Sequence, residues 1–166
     1  MHMDIFLVRH AIAAERGTVR DDRERPLTAQ GARRFERCVA GLACLDVSLD
    51  HVFHSPWLRA VQTAELLAPL LRGRCEPSDL LADDPDARLL ALVSGFRDGT
   101  RVAFVGHEPW MGELLSLCLL GTTAHADNLP FKKGGVAWLQ GKPEPGKLLL
   151  RAMLPPRVLR RLASDE

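Results

Sequence analysis

What the sequence lacks narrows its function first. Its four cysteines, Cys38, Cys44, Cys75 and Cys118, form no CxxC pair. Most of them sit in apolar or helical surroundings, as reduced core thiols do. No apolar stretch is long enough to span a bilayer. The apolar run after Met1-His2-Met3-Asp4 is too short for a secretory signal and has no basic lead. A cytoplasmic location without a membrane partner is therefore expected. Excess charge is missing too: 22 Lys and Arg stand against 21 Asp and Glu, a formal net charge of +1. No global field draws such a chain to nucleic acid. Only four of the basic residues are lysines, a bias that carries no functional reading. There is no GxxxxGK[ST] phosphate loop and no GxSxG nucleophile elbow. No cysteine has an arginine six positions on, and no carboxylate cluster has two-metal spacing. Chemistry without a metal or other cofactor is the expectation.

What is present suits an ordinary globular protein. At 166 residues, 46% hydrophobic and 26% charged, the chain is expected to form one domain over residues 1–166 with a sizeable core. Ile5-Phe6-Leu7-Val8 is an unbroken apolar run that stops at Arg9-His10. A run of this kind reads as a strand buried on both faces, as in parallel sheets. Ligands of such sheets collect at the carboxyl ends of the strands. Arg9 and His10 therefore read as the floor of a phosphate site, with His10 as nucleophile. The bland reading, a strand that happens to end in polar residues, is the stronger one for this pair taken alone.

A long polar loop follows, charged from Arg20 to Arg25. Thr28 then caps a helix whose apolar positions are Ala29, Ala32, Phe35, Val39 and Leu42, with Gly41 weakening its tail. Val52-Phe53 reads as a second strand. Ser55-Pro56 opens a helix with Trp57, Val61, Ala64, Ala68 and Leu71 as its buried stripe. Arg74 to Ala82 is a connector with one short extended piece, and Asp83-Asp84-Pro85 starts another helix. Val102-Ala103-Phe104-Val105 is a second unbroken run, ending at Gly106-His107. Glu108-Pro109 begins the helix of Leu114, Leu115, Cys118 and Leu119. Residues 134–139 and 148–153 read as an antiparallel hairpin at a sheet edge. Pro155-Pro156 and the charged tail are peripheral. Alternating strands and helices predict a three-layer α/β/α sandwich, its central sheet mostly parallel with an antiparallel edge near the C-terminus.

This organisation says more than any one motif. Arg9-His10, His54-Ser55 and Gly106-His107 each follow a predicted strand. The last two also lead into helix amino ends, which favour anions. Three separated segments thus bring Arg, His and free backbone donors to one edge of the sheet.

At these residues the chain resembles the histidine phosphatase superfamily, which includes the phosphoglycerate mutases. Three blocks carry the likeness. They are Leu7-Val8-Arg9-His10 followed by Pro26-Leu27-Thr28-Ala29-Gln30-Gly31; Ser55 to Ala64; and Val105-Gly106-His107-Glu108-Pro109. Length and layout are most similar to the small bacterial phosphohistidine phosphatases. The resemblance implies that His10 takes the phosphoryl group and that Arg9, Arg59 and His107 hold its oxygens, with Ser55 beside them as a further substrate contact. It implies a phosphorylated protein as partner, a phosphohistidine-carrying domain of a phosphorelay, and affinity for phosphate or sulfate ions. The chain departs from the pattern at Ala11, where Gly is common, and at His54, where Ser is common. It also has no Glu between the second and third blocks; Asp83 is the candidate general acid there.

The chemistry explains these residue types. Charge in a transferring phosphoryl group spreads over its equatorial oxygens, so positioned cations do most of the work. His10 must be neutral to attack, and nearby arginines favour the neutral form. Its other ring nitrogen needs a partner to set the tautomer, and a carbonyl in the loop after His10 suits that role. Asp21, Asp22 and Glu108 are further candidates for the acid; the bland readings are solvated charges for these three and for Lys132 and Lys133, core packing for His107, and a helix-surface charge for Arg59. His51 and His54 face opposite sides of a strand, which argues against a metal pair. Three functions stand: a phosphohistidine phosphatase, a phosphatase of small phosphate esters, and a phosphate-binding regulatory module without turnover.

Overall fold

The computed structural model describes residues 2–163. A six-stranded sheet is built from β1 (Met3–Arg9), β2 (Leu49–His54), β3 (Leu71–Pro77), β4 (Arg101–Gly106), β5 (Val136–Gly141) and β6 (Leu148–Leu154), in the order β3-β2-β4-β1-β5-β6. β3, β2, β4 and β1 run parallel. β5 and β6 add an antiparallel edge, as the alternating pattern and the final hairpin led us to expect.

Successive strand residues face opposite sides, and this splits the core in two. Phe6 and Val8 of β1 pack with α1 (Ala29–Cys44), α2 (Leu58–Leu66) and α5 (Pro156–Leu162). Ile5 and Leu7 pack with α3 (Ala87–Ala91) and α4 (Trp110–Leu120) on the other side. The result is the three-layer α/β/α sandwich. The central strands have almost no exposed side chains, which is why their sequences are apolar without alternation.

Local chemistry sets several boundaries. The Gly31 amide donates to the Thr28 hydroxyl at 2.8 Å, the expected cap of α1. α2 begins later than Ser55-Pro56 indicates. Trp57 is its cap residue, and the Trp57 amide donates to Ser55 Oγ at 3.3 Å. Its buried side is Arg59, Ala60, Thr63 and Ala64, one step round from the stripe drawn through Trp57 and Val61. The stripe was drawn from apolar residues, but this helix turns an arginine and a threonine inward to serve the site. The connector from Arg74 onward belongs to the edge strand β3. Its mostly exposed, charged side chains hid it.

Two expectations about packing need correction. Pro155-Pro156 lead into α5, which is not peripheral. Leu159 is fully buried between α5 and α1, and Gly41 is what lets the helices approach. A Cβ at Gly41 would lie 2.0 Å from the Leu159 carbonyl oxygen. Residues 164–166 of the tail lie outside the described residues. The cysteines also divide: Cys38 and Cys118 are buried, but Cys44 and Cys75 are exposed, and all four are free thiols. No helix among the described residues is long and apolar enough to cross a membrane.

Candidate active site

The register of the sheet assembles the site. Arg9 of β1 pairs with Gly106 of β4, so His10 lands beside His107. Their ring centroids are 5.3 Å apart. His54 pairs with Val105 on the other side of β4, and the Ser55 amide donates to the Val105 carbonyl at 2.9 Å. Arg59 enters from the first turn of α2. A cleft of about 350 Å³ is lined by Arg9, His10, Arg59 and His107 together.

His10 is 4% exposed. Its Nδ1 lies 2.7 Å from the Ala11 carbonyl oxygen. A carbonyl can only accept, so the ring proton sits on Nδ1 and Nε2 keeps its lone pair. This is the partner anticipated in the loop after the nucleophile. Burial, then Arg59, Arg9 and Lys133, drive the His10 pKa down to about 3, against the opposing pull of the Ala11 hydrogen bond. The ring is neutral at physiological pH.

The loop after His10 is held from α2. The Ala11 amide donates to Thr63 Oγ1 at 3.0 Å, and that hydroxyl donates to the Arg59 carbonyl at 2.7 Å. The Leu27 amide donates to Gln62 Oε1 at 2.7 Å. Gln62 and Thr63, three and four residues after the motif arginine, thus fix the nucleophile's loop. Gly31 completes the clamp: a Cβ there would lie 2.1 Å from the Ile12 carbonyl oxygen.

Arg59 is held by Asp22, whose backbone carbonyl accepts from Nη1 at 2.8 Å and whose carboxylate meets Nη2 at 3.2 Å. Its guanidinium lies 4.9 Å from the Trp57 ring centroid. Arg9 Nη1 donates to the Phe131 carbonyl. His107 Nε2 is 2.7 Å from Ser55 Oγ. Burial, then His10 and Arg59, bring the His107 pKa to about 3.

After these contacts, Arg9 Nε, Arg59 Nε and His107 Nδ1 remain buried with no hydrogen-bond partner. Only one other buried side-chain atom among the described residues shares that condition, His51 Nδ1. A buried polar group left unpaired costs about 1–3 kcal/mol. Three of them on one cleft constitute a site shaped for an acceptor-rich anion.

The surroundings revise several expectations. Ser55, expected as a substrate contact, is fully buried, with its Oγ 2.7 Å from His107 Nε2 and accepting from the Trp57 amide. Asp83 is exposed, its carboxylate accepting from the neighbouring Asp84 amide, and it lines neither cleft of the site. Its place between the motif blocks put it in the right part of the sequence only. Two carboxylates line the cleft, Glu15, which is exposed, and Glu108, which is half-buried. Burial raises the Glu108 pKa, against Arg9 and the Gly112 amide, which donates to Oε1 at 3.1 Å. Asp22 is likewise no idle charge, since it bridges Arg25 and Arg59.

Lys133 also lines the cleft while its side chain stays exposed, as a solvated charge does; partial burial, then Arg9, lower its pKa. Arg25 and Arg16 were not singled out in the sequence. Arg25 is 6% exposed and donates to the Ala14 carbonyl at 2.8 Å. The only sequence signal for Arg25 was its position just before Pro26-Leu27-Thr28. His51 and His54 go to separate surroundings: His51 packs on Phe96 with centroids 4.5 Å apart, and His54 Nδ1 meets the Ser55 carbonyl at 2.9 Å.

Comparison with known proteins agrees with this geometry. The pattern of the histidine phosphatase superfamily (branch 1) matches residues 5–83. An uncharacterised protein of Picosynechococcus sp. is 33% identical over 143 residues, 83% of this chain and 85% of its own length. The chain belongs to the histidine phosphatase superfamily. Among solved structures, the protein histidine phosphatase SixA complexed with tungstate superposes with a TM-score of 0.77 at 26% identity, over 95% of this chain and 99% of that one. The rat mitochondrial serine/threonine-protein phosphatase PGAM5 is 31% identical over 107 residues. That match spans 59% of this chain and 36% of PGAM5. This histidine phosphatase relative is thus a phosphatase whose named counterparts differ in the phosphorylated side chain they act on.

Proposed function

We propose that the chain is a protein phosphohistidine phosphatase that works through a phospho-His10 intermediate. The observation that carries this reading is the ring of unpartnered buried donors, Arg9 Nε, Arg59 Nε and His107 Nδ1, around a neutral His10. Nε2 attacks phosphorus in line. The bond from phosphorus to the leaving nitrogen breaks, its electron pair stays on that nitrogen, and a P–Nε2 bond forms. Arg9, Arg59 and His107 take the equatorial oxygens, each charge-assisted contact worth about 1.5–3 kcal/mol. Glu108 carries the proton. It enters protonated, gives the proton to the departing nitrogen, and as a carboxylate takes one from the water that releases inorganic phosphate from His10.

A second reading rests on the same Glu108. A carboxylic acid at the cleft also suits the alkoxide leaving group of a small phosphate ester. Rapid quench during turnover tests both readings. Acid-labile, base-stable phosphate on His10 is expected, forming faster from a phosphohistidine protein than from a phosphoserine peptide. The reverse order favours the ester reading. Wild-type rates in His10→Ala remove the mechanism altogether.

A further inference from the structure

A second, wider cleft of about 590 Å³ adjoins the first and shares Arg16, Arg59, His107 and Glu108 with it, but not His10. We propose that this cleft is the leaving-group subsite, and that the corner formed by Trp57 and Trp110 seats a flat neutral ring there. The phosphoryl carrier it fits is an imidazole in preference to an aliphatic amine. The inference rests on His10 as phosphoryl acceptor.

In-line displacement sends the leaving atom away from the nucleophile, across phosphorus. His107 stands between the two regions, with its ring 5.3 Å from His10, 4.7 Å from Trp57 and 6.1 Å from Trp110. A group departing from a phosphoryl bound beside His10 and His107 therefore moves toward the tryptophans. Their centroids are 5.7 Å apart at an interplanar angle of 69°. That makes a corner in which one ring is faced by one indole and edged by the other.

These rings are not spent on the core. Neither belongs to the two buried clusters that flank the sheet. Trp110 is nonetheless fixed, because its Nε1 donates to Asp84 Oδ1 at 3.0 Å. Charge selects the ring further. Arg16, Arg20 and Arg59 line the same cleft, opposed by Asp22 and Glu108. A neutral phosphorylated imidazole that takes the Glu108 proton leaves as neutral imidazole, which the arginines tolerate. A phosphorylated aliphatic amine that takes the same single proton leaves as a neutral amine, and this far more basic nitrogen then takes a second proton from water to become an ammonium ion, which they repel.

The test compares free phosphohistidine with phospholysine, two N–P substrates without protein contacts. Trp110→Ala is expected to lower the phosphohistidine-to-phospholysine ratio of kcat/KM roughly tenfold, the scale of one lost aromatic contact. Trp110→Phe, which keeps a ring, is expected to restore most of it. A ratio within about twofold of wild type in Trp110→Ala, with phospho-His10 still formed, overturns the subsite alone. Absence of phospho-His10 from both substrates in the wild-type protein overturns the reading of His10 and the subsite with it.

Discussion

Acidification should unfold this protein from its active site. His10 and His107 are buried as neutral rings, with pKa values brought to about 3 from an ordinary 6.5. Between those limits the unfolded chain binds protons that the folded chain refuses. Stability therefore rises with pH across that window; it is complete above about pH 6.5 and is lost as pH falls toward 3. A single such imidazole costs roughly 2 kcal/mol on going from about pH 7.5 to about pH 5.0, and the pair roughly 4 kcal/mol. That is a large part of the ~5–15 kcal/mol that holds a typical domain together. Glu108 works the other way, because its folded pKa is raised. Urea denaturation followed by tryptophan fluorescence at about pH 5, 6 and 7.5, without phosphate, measures the slope. His10→Asn should remove about half of the loss, and His10→Asn with His107→Asn nearly all of it. Comparing wild type with the double variant cancels every other titrating group. Equal pH slopes in the two proteins would refute the claim that these rings are held neutral by burial.

Two other predictions concern the carboxylate and the clamp. Glu108→Gln should lower kcat roughly 10²–10⁴-fold on alkyl phosphate esters, whose leaving group needs a proton, and far less on p-nitrophenyl phosphate, whose leaving group does not. Equal losses on both would mean that Glu108 serves the helix α4 through Gly112 and nothing more. Gly31→Ala should cost about 1–3 kcal/mol in urea denaturation, because the new methyl meets the Ile12 backbone where the loop after His10 is fixed. Gly95→Ala, with nothing within 4 Å of its Cβ, should stay within about 0.5 kcal/mol of wild type.

The sequence by itself determined the central strands and most of the helices. Unbroken apolar runs of only four residues, stopped by polar ones, fit strands covered on both faces, so β1 and β4 were legible, and with them the polar residues at their ends. Thr28 marked the start of α1, because caps are local chemistry, and the Ser55-Pro56 pair announced α2 a few residues before it begins. Arg9, His10 and His107 could be named because each stands at a strand end that sequence pattern reveals, whereas Arg59, and the roles of all four, rested on the family resemblance. Only the tertiary structure decided what depends on contacts between distant segments. It showed that Glu108, half-buried, lines the cleft while Asp83 lies outside it, that the Ser55 hydroxyl meets His107, and that Arg25 is drawn inward. It also showed that Gly31 and Gly41 serve close approach and that α5 is part of the core. Burial and hydrogen-bond pairing are properties of the packed chain. A charged residue reads the same in one dimension whether water or a guanidinium meets it.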